Sequence, residues 1–132
     1  MPEQPDTEPA LFRSGPARGH RGHAAGPDRS RLAAILVAEI ARNFRVRQTG
    51  ILAPGRTVAR EALARHVAMY LAHVVFGWTY ADIAVRFGRH RTCVNYACAR
   101  IEDRRDDARF DARILKIERR IAAARGAAGD AA

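Results

Sequence analysis

Between Leu32 and Ile121, apolar residues recur in successive stretches at helical spacing, each closed by a glycine, a proline or a charged break. Leu32, Ile35, Leu36, Ile40 and Phe44 share one face and predict a helix over about Arg31 to Phe44, with Ser30 after Pro27-Asp28 as its N-cap. Val46 and a short Thr49–Leu52 segment follow. Pro54-Gly55 then breaks the chain into a loop, Gly55-Arg56-Thr57, with a basic residue at its tip. A long helix over roughly Arg60 to Phe76 places Ala64, Val67, Ala68, Leu71 and Val75 on one stripe, and Gly77 is positioned to end it.

Thr79-Tyr80-Ala81-Asp82 has the form of a capping box and opens a short helix to Phe87, with Ile83 and Phe87 inward. Gly88 stands where a helix-turn-helix needs a tight turn with positive φ. The next helix runs from about Arg91 to Asp103, its stripe Val94, Ala97, Cys98 and Ile101 following the i, i+3, i+4, i+7 rule. Glu102–Asp107 reads as a solvated helix end and loop, and a last helix from about Asp111 to Ala124 carries Ile114, Ile117 and Ile121. The pattern thus predicts an all-α bundle of about five to six helices containing a helix-turn-helix, with no internal repeat. Its ordered domain spans 30–124, between a disordered N-terminal tail over 1–29, rich in proline and glycine, and a small-residue tail over 125–132.

Composition agrees with one domain and tails: 132 residues, 48% apolar and 28% charged, suit a soluble chain able to form a core. Charge changes the picture more. Lys+Arg number 23 against Asp+Glu 14, a net charge of +9, which favours a polyanionic partner. From Arg31 to Arg100 there are 11 arginines and three acids (Glu39, Glu61, Asp82), so the excess lies in the middle of the chain. In residues 1–29 the charges cancel, and His20 and His23 there read as solvated tail residues. Cys93 and Cys98 form no CxxC and imply neither a zinc site nor a disulfide scaffold. No signal peptide is evident, and no apolar run approaches the ~20 residues of a membrane span. The chain is therefore expected in the cytoplasm, associated with the nucleoid.

The informative block is a short capped helix, one glycine, and a second helix opening Arg89-His90-Arg91-Thr92-Cys93. In a helix-turn-helix the second helix enters the major groove and its first turns meet base edges. With the apolar stripe inward, Arg91, Thr92, Asn95, Tyr96 and Ala99 face elsewhere, and Arg89 and His90 sit at the tip. Arginine can fork onto guanine, Asn can pair with adenine, and Thr can touch a thymine methyl. Nothing in the chain forms a catalytic set: no Ser-His-Asp pairing has supporting context, and Asp106-Asp107 lie in a charged loop. The expectation is a non-enzymatic protein without cofactor, metal or small-molecule substrate, whose partner is double-stranded DNA.

The runs Ala64-Arg65-His66-Val67-Ala68-Met69-Tyr70-Leu71, Asp82-Ile83-Ala84-Val85-Arg86-Phe87-Gly88-Arg89-His90-Arg91-Thr92-Cys93-Val94 and Ala97-Cys98-Ala99-Arg100-Ile101-Glu102 resemble the C-terminal DNA-binding domain of DnaA, the bacterial replication initiator. The resemblance covers about Arg31 to Ile121 and implies a Trp-repressor-like helical domain. Its recognition helix would lie in the major groove, and a basic loop would send an arginine into the adjacent minor groove. By that resemblance Arg56 matches the basic loop and Arg65 an arginine at the major groove or its edge. Arg89 and Thr92 match positions of the family's Arg-Asp-His-Thr-Thr-Val run.

Departures accompany the match. His90 stands where the family has an acid, Arg91 replaces a histidine, Cys93 a threonine and His66 a glutamine, and one glycine after Phe87 is missing. With about 1–3 kcal/mol of discrimination per bidentate base contact, such changes imply a preferred site different from the initiator's box. The chain has no GxxxxGK[ST], so nucleotide-driven origin melting is not expected of it. It resembles a stand-alone relative acting as a transcriptional regulator or as a modulator of replication initiation. The alternatives are a protein-docking module and a non-specific nucleoid-associated binder that has lost box recognition.

Overall fold

In the computed structural model, which describes residues 27–55 and 58–131, every described element is helical. The elements are α1 (Pro27–Phe44), α2 (Gln48–Leu52), α3 (Ala59–Val74), α4 (Tyr80–Phe87), α5 (Arg91–Arg104) and α6 (Ala108–Ala131). The all-α helix-turn-helix architecture expected from the pattern is the one observed. The chain divides into two units, Met1–Arg31 and Leu32–Ala132, and of the first only the opening turn of α1 is described. The expectation of a disordered tail over 1–29 therefore falls mostly outside the described residues.

Element boundaries follow local chemistry. Helix α1 opens on Pro27, ahead of the expected Ser30 cap, because proline's fixed φ suits a first turn whose N–H groups are unpaired anyway. Its end is marked by Arg45 at φ 57, a left-handed position usually taken by glycine. Gly77, at φ 74, follows α3 as expected, and the turn is closed by Gly77 N–H to His73 O at 3.0 Å and by His73 Nδ1 donating to Trp78 O at 2.9 Å. Helix α6 does not stop at Ala124 but runs to Ala131, its alanines favouring the helix while Gly126 and Gly129 do not end it.

Helix α3 is the centre of the Leu32–Ala132 unit. The sequence stripe allotted it one apolar face, yet Met69, Tyr70 and Ala72 are buried along with Ala64, Val67, Ala68 and Leu71. A helix enclosed on several sides shows no single stripe, and α2, α4 and α5 all pack on this one. Ala64 and Ala68 of α3 and Ala97 of α5 are fully buried small side chains on two helices that pack on each other. Val94, Ala97, Cys98 and Ile101 of α5 are buried as their spacing predicts, and Ile114, Ile117 and Ile121 of α6 complete the core with Phe110 and Trp78.

Helix α6 is also tied down by polar bonds. Arg113 donates to Asn43 Oδ1 at 2.7 Å and Asn43 O at 3.1 Å while covering the Phe44 ring, and Arg120 donates to Glu39 at 2.9 Å. The Glu102–Asp107 stretch, expected as a solvated loop, contains the main charged junction of the domain. Arg105 donates to Asp111 Oδ1, to Glu118 Oε2 at 3.0 Å and to Tyr70 Oη at 3.0 Å. Burial works against its charge, but the bonds to Asp111, Tyr70 and Glu118 outweigh it and raise the pKa above the ordinary guanidinium value. None of the described helices is long and apolar enough to cross a membrane.

Candidate nucleic-acid interface

Helix α4, the turn and α5 form a locally over-determined unit. Thr79 caps α4 by accepting the Asp82 N–H at 3.1 Å, the first half of the expected capping box. Gly88 closes α4 at φ 62, with Gly88 N–H to Val85 O at 3.2 Å and Arg89 N–H to Ala84 O at 2.9 Å. These are the paired bonds of a glycine-terminated helix, and a Cβ at that φ would be strained. Tyr80 of α4 lies beside Cys98 of α5, and burial, then Cys98 and Glu102, push its phenol up to about 12. Burial likewise raises the Cys98 thiol, a core residue as its position on the stripe predicts.

Helix α5 starts on an uncommon cap. His90 has extended backbone, and its Nδ1 accepts from the Thr92 N–H at 3.2 Å, with the Thr92 hydroxyl 2.9 Å from the same nitrogen. Nδ1 is thereby the acceptor and Nε2 the donor. The departure from the family's acid is intelligible here, since imidazole Nδ1 satisfies the same orphan N–H that a carboxylate would. Beyond the cap, Arg91, Cys93, Asn95 and Ala99 are exposed, and Tyr96 is 57% exposed.

An open depression lies between α3 and the start of α5. Arg65, His66 and Met69 line it from α3, and Arg89, Thr92, Cys93 and Tyr96 from the other side. The His66 and Tyr96 rings meet edge to face at 6.1 Å, and Arg100 lies 5.7 Å from the Tyr96 ring centre. Burial, then the charges of Arg65, Arg100 and Arg89, hold the His66 pKa below its ordinary value. The depression is thus cationic and contains a histidine that favours its neutral form.

Six of the residues singled out in the sequence converge on this depression: Arg65, His66, Arg89, Thr92, Cys93 and Tyr96. His90, Arg91 and Asn95 lie on the adjacent first turns of α5 without lining it, and Arg56 falls outside the described residues. Met69 and Arg100 were missed, although Met69 follows Arg65 by one helical repeat and Arg100 follows Tyr96 likewise.

Two of the arginines face inward. Arg65 is 5% exposed and donates from Nε to Ile51 O at 2.9 Å and from Nη2 to Gly50 O at 3.4 Å, carbonyls at the end of α2. Burial and the neighbouring Arg89 charge lower its pKa, opposed by Glu61. Arg89 Nη2 donates to Ala53 O and to Gly55 O, the latter at 3.3 Å, while its buried Nε has no hydrogen-bond partner among the described residues. Among those residues, no group of three or more His, Cys, Asp and Glu side chains could hold a metal ion.

A sequence profile described as the bacterial DnaA protein helix-turn-helix matches residues 34–101, from within α1 through the buried Ile101 of α5. No curated protein matches the chain. The matched span contains α2 to α4, the turn at Gly88 and nearly all of α5, and covers just over half of the 132 residues. The chain belongs to the bacterial DnaA helix-turn-helix family, a membership that points to DNA binding.

Proposed function

We propose that the chain recognises a specific duplex sequence, with α5 in the major groove and the segment carrying Arg56 beside it. It acts from the nucleoid as a transcriptional regulator or as a modulator of replication initiation. The observation that supports this best is the exposure of Arg91, Thr92, Cys93, Asn95 and Tyr96 on consecutive turns of a helix fixed at its start by a cap and along its length by a buried stripe. Rigid backbone with solvent-exposed side chains is what base readout requires, because each good bidentate contact is worth about 1–3 kcal/mol only when it is held in register. Arg91 offers the fork for guanine, Asn95 the amide for adenine, and Cys93 and Tyr96 smaller apolar contacts. Since Arg91 and Cys93 stand at positions of altered chemistry relative to the family, the preferred site differs from the initiator's box.

The test is competition between duplexes over a salt series. A preferred duplex should outcompete its scrambled version, and the logarithm of affinity should fall with the logarithm of salt by about 0.9 per phosphate neutralised. Equal competition by the scrambled duplex would leave a non-specific nucleoid binder. Absence of DNA binding would leave a protein-docking module.

A further inference from the structure

The end of α2 and the segment after it are held by arginines that donate to main-chain carbonyls. Arg65, reaching back from α3, takes Gly50 O and Ile51 O, and Arg89, reaching across from the head of α5, takes Ala53 O and Gly55 O. Four carbonyls within six residues are thus gripped from α3 and from the turn that precedes α5. The Arg89 bonds span 36 and 34 residues of sequence and directly link the head of α5 to this connection.

We infer that Arg89 is a positioning residue, which, backed by Arg65, sets the spacing between the recognition helix and the 53–55 segment before DNA arrives. A base-reading arginine needs a mobile, hydrated head that can turn into the groove. Arg89 instead has a desolvated Nε and an Nη2 already shared between two carbonyls, so turning it outward would release both. Because the acceptors are backbone oxygens, the brace acts on the path of residues 50–55 whatever side chains they carry. Two groove-directed elements pre-set in spacing lose less conformational freedom on binding than two that must be ordered together. This inference deepens the DNA-recognition reading and rests on it for its functional half.

The experiment has two arms, using the full chain and the variants Arg89→Ala and Arg89→Lys. Lysine keeps the charge but lacks the planar fork that meets two acceptors. In the free protein, backbone N–H order parameters at Ala53 and Gly55 should fall from about 0.85 to below about 0.6 in both variants, with α3 and α5 unchanged. Unchanged values in both variants overturn the brace. On DNA, a double-mutant cycle pairs Arg89→Ala with Arg56→Ala. Each single change should weaken binding roughly tenfold, and the double variant little more than either one, because both act through the same segment. Strictly additive losses would make Arg89 an independent contact and overturn the inference. If the wild type prefers no duplex at all, the recognition reading fails, while the order parameters still decide whether Arg89 holds the segment.

Discussion

The two ends of α5 use the same residue type in opposite ways. Beyond its C-terminal end, Arg105 meets Asp111 and Glu118, acids supplied by α6, and the Tyr70 hydroxyl from α3. At the N-terminal end no described acid pairs with Arg89 or Arg91; Arg89 meets carbonyl oxygens, and Arg91 is exposed. Arginines occur at both ends, so their count does not distinguish them. The placement of acids does. Asp and Glu close off the charge where α6 docks on the C-terminal end, whereas among the described residues no acid is hydrogen-bonded to Arg89 or Arg91. Carbonyl dipoles hold the inward arginines at the open end without cancelling their charge.

The largest expected effect comes from breaking the closed end. Arg105→Ala strands Asp111 and Glu118 and frees the Tyr70 hydroxyl, and because the pair is only partly buried the loss of stability in urea should be about 2–3 kcal/mol. DNA affinity of the folded molecules should stay unchanged. Arg91→Ala should do the reverse: discrimination between preferred and scrambled duplexes should fall by about 1–3 kcal/mol, with stability within about 0.5 kcal/mol of wild type. A substantial loss of stability in Arg91→Ala would show that the open end is also structural. Tyr80→Phe, which removes the partly buried phenol hydroxyl beside Cys98 within the helix-turn-helix, should cost about 1 kcal/mol or less in thermal or urea unfolding.

The smallest effect is one of pH. Burial and its arginine neighbours lower the His66 pKa in the folded chain, so the unfolded chain, titrating near about 6.5, takes up a proton first as pH falls. Stability should therefore be undiminished above that value and decline as pH drops toward the folded pKa, levelling below it. His66→Gln should remove this component, and an unaltered profile in that variant would place the titration elsewhere.

Much of the helical frame was legible because it depends on local rules. The Thr79 cap, the positive φ at Gly88 and the buried stripe Val94-Ala97-Cys98-Ile101 are each decided within a few residues. What depended on distant contacts was not. Arg65 and Arg91 look alike in sequence, yet one reaches carbonyls 14 and 15 residues away and the other is exposed. Arg105 looked like part of a solvated charge run because its partner Glu118 is 13 residues further on, in the next helix. The burial of α3 on more than one side was hidden for a related reason, since a helix packed by several neighbours shows no single stripe.

The central claim is that the exposed first turns of α5 read bases. Selection from a random duplex library at ~150 mM salt, a concentration where non-specific phosphate binding is weakened, tests it most directly when wild type and an Arg91→Ala, Asn95→Ala double variant are run side by side. Base readout by α5 should give an enriched motif for the wild type, distinct from the initiator's box, that is lost or altered at the positions facing those two residues in the variant. The same motif from both proteins, or none from the wild type, would contradict it.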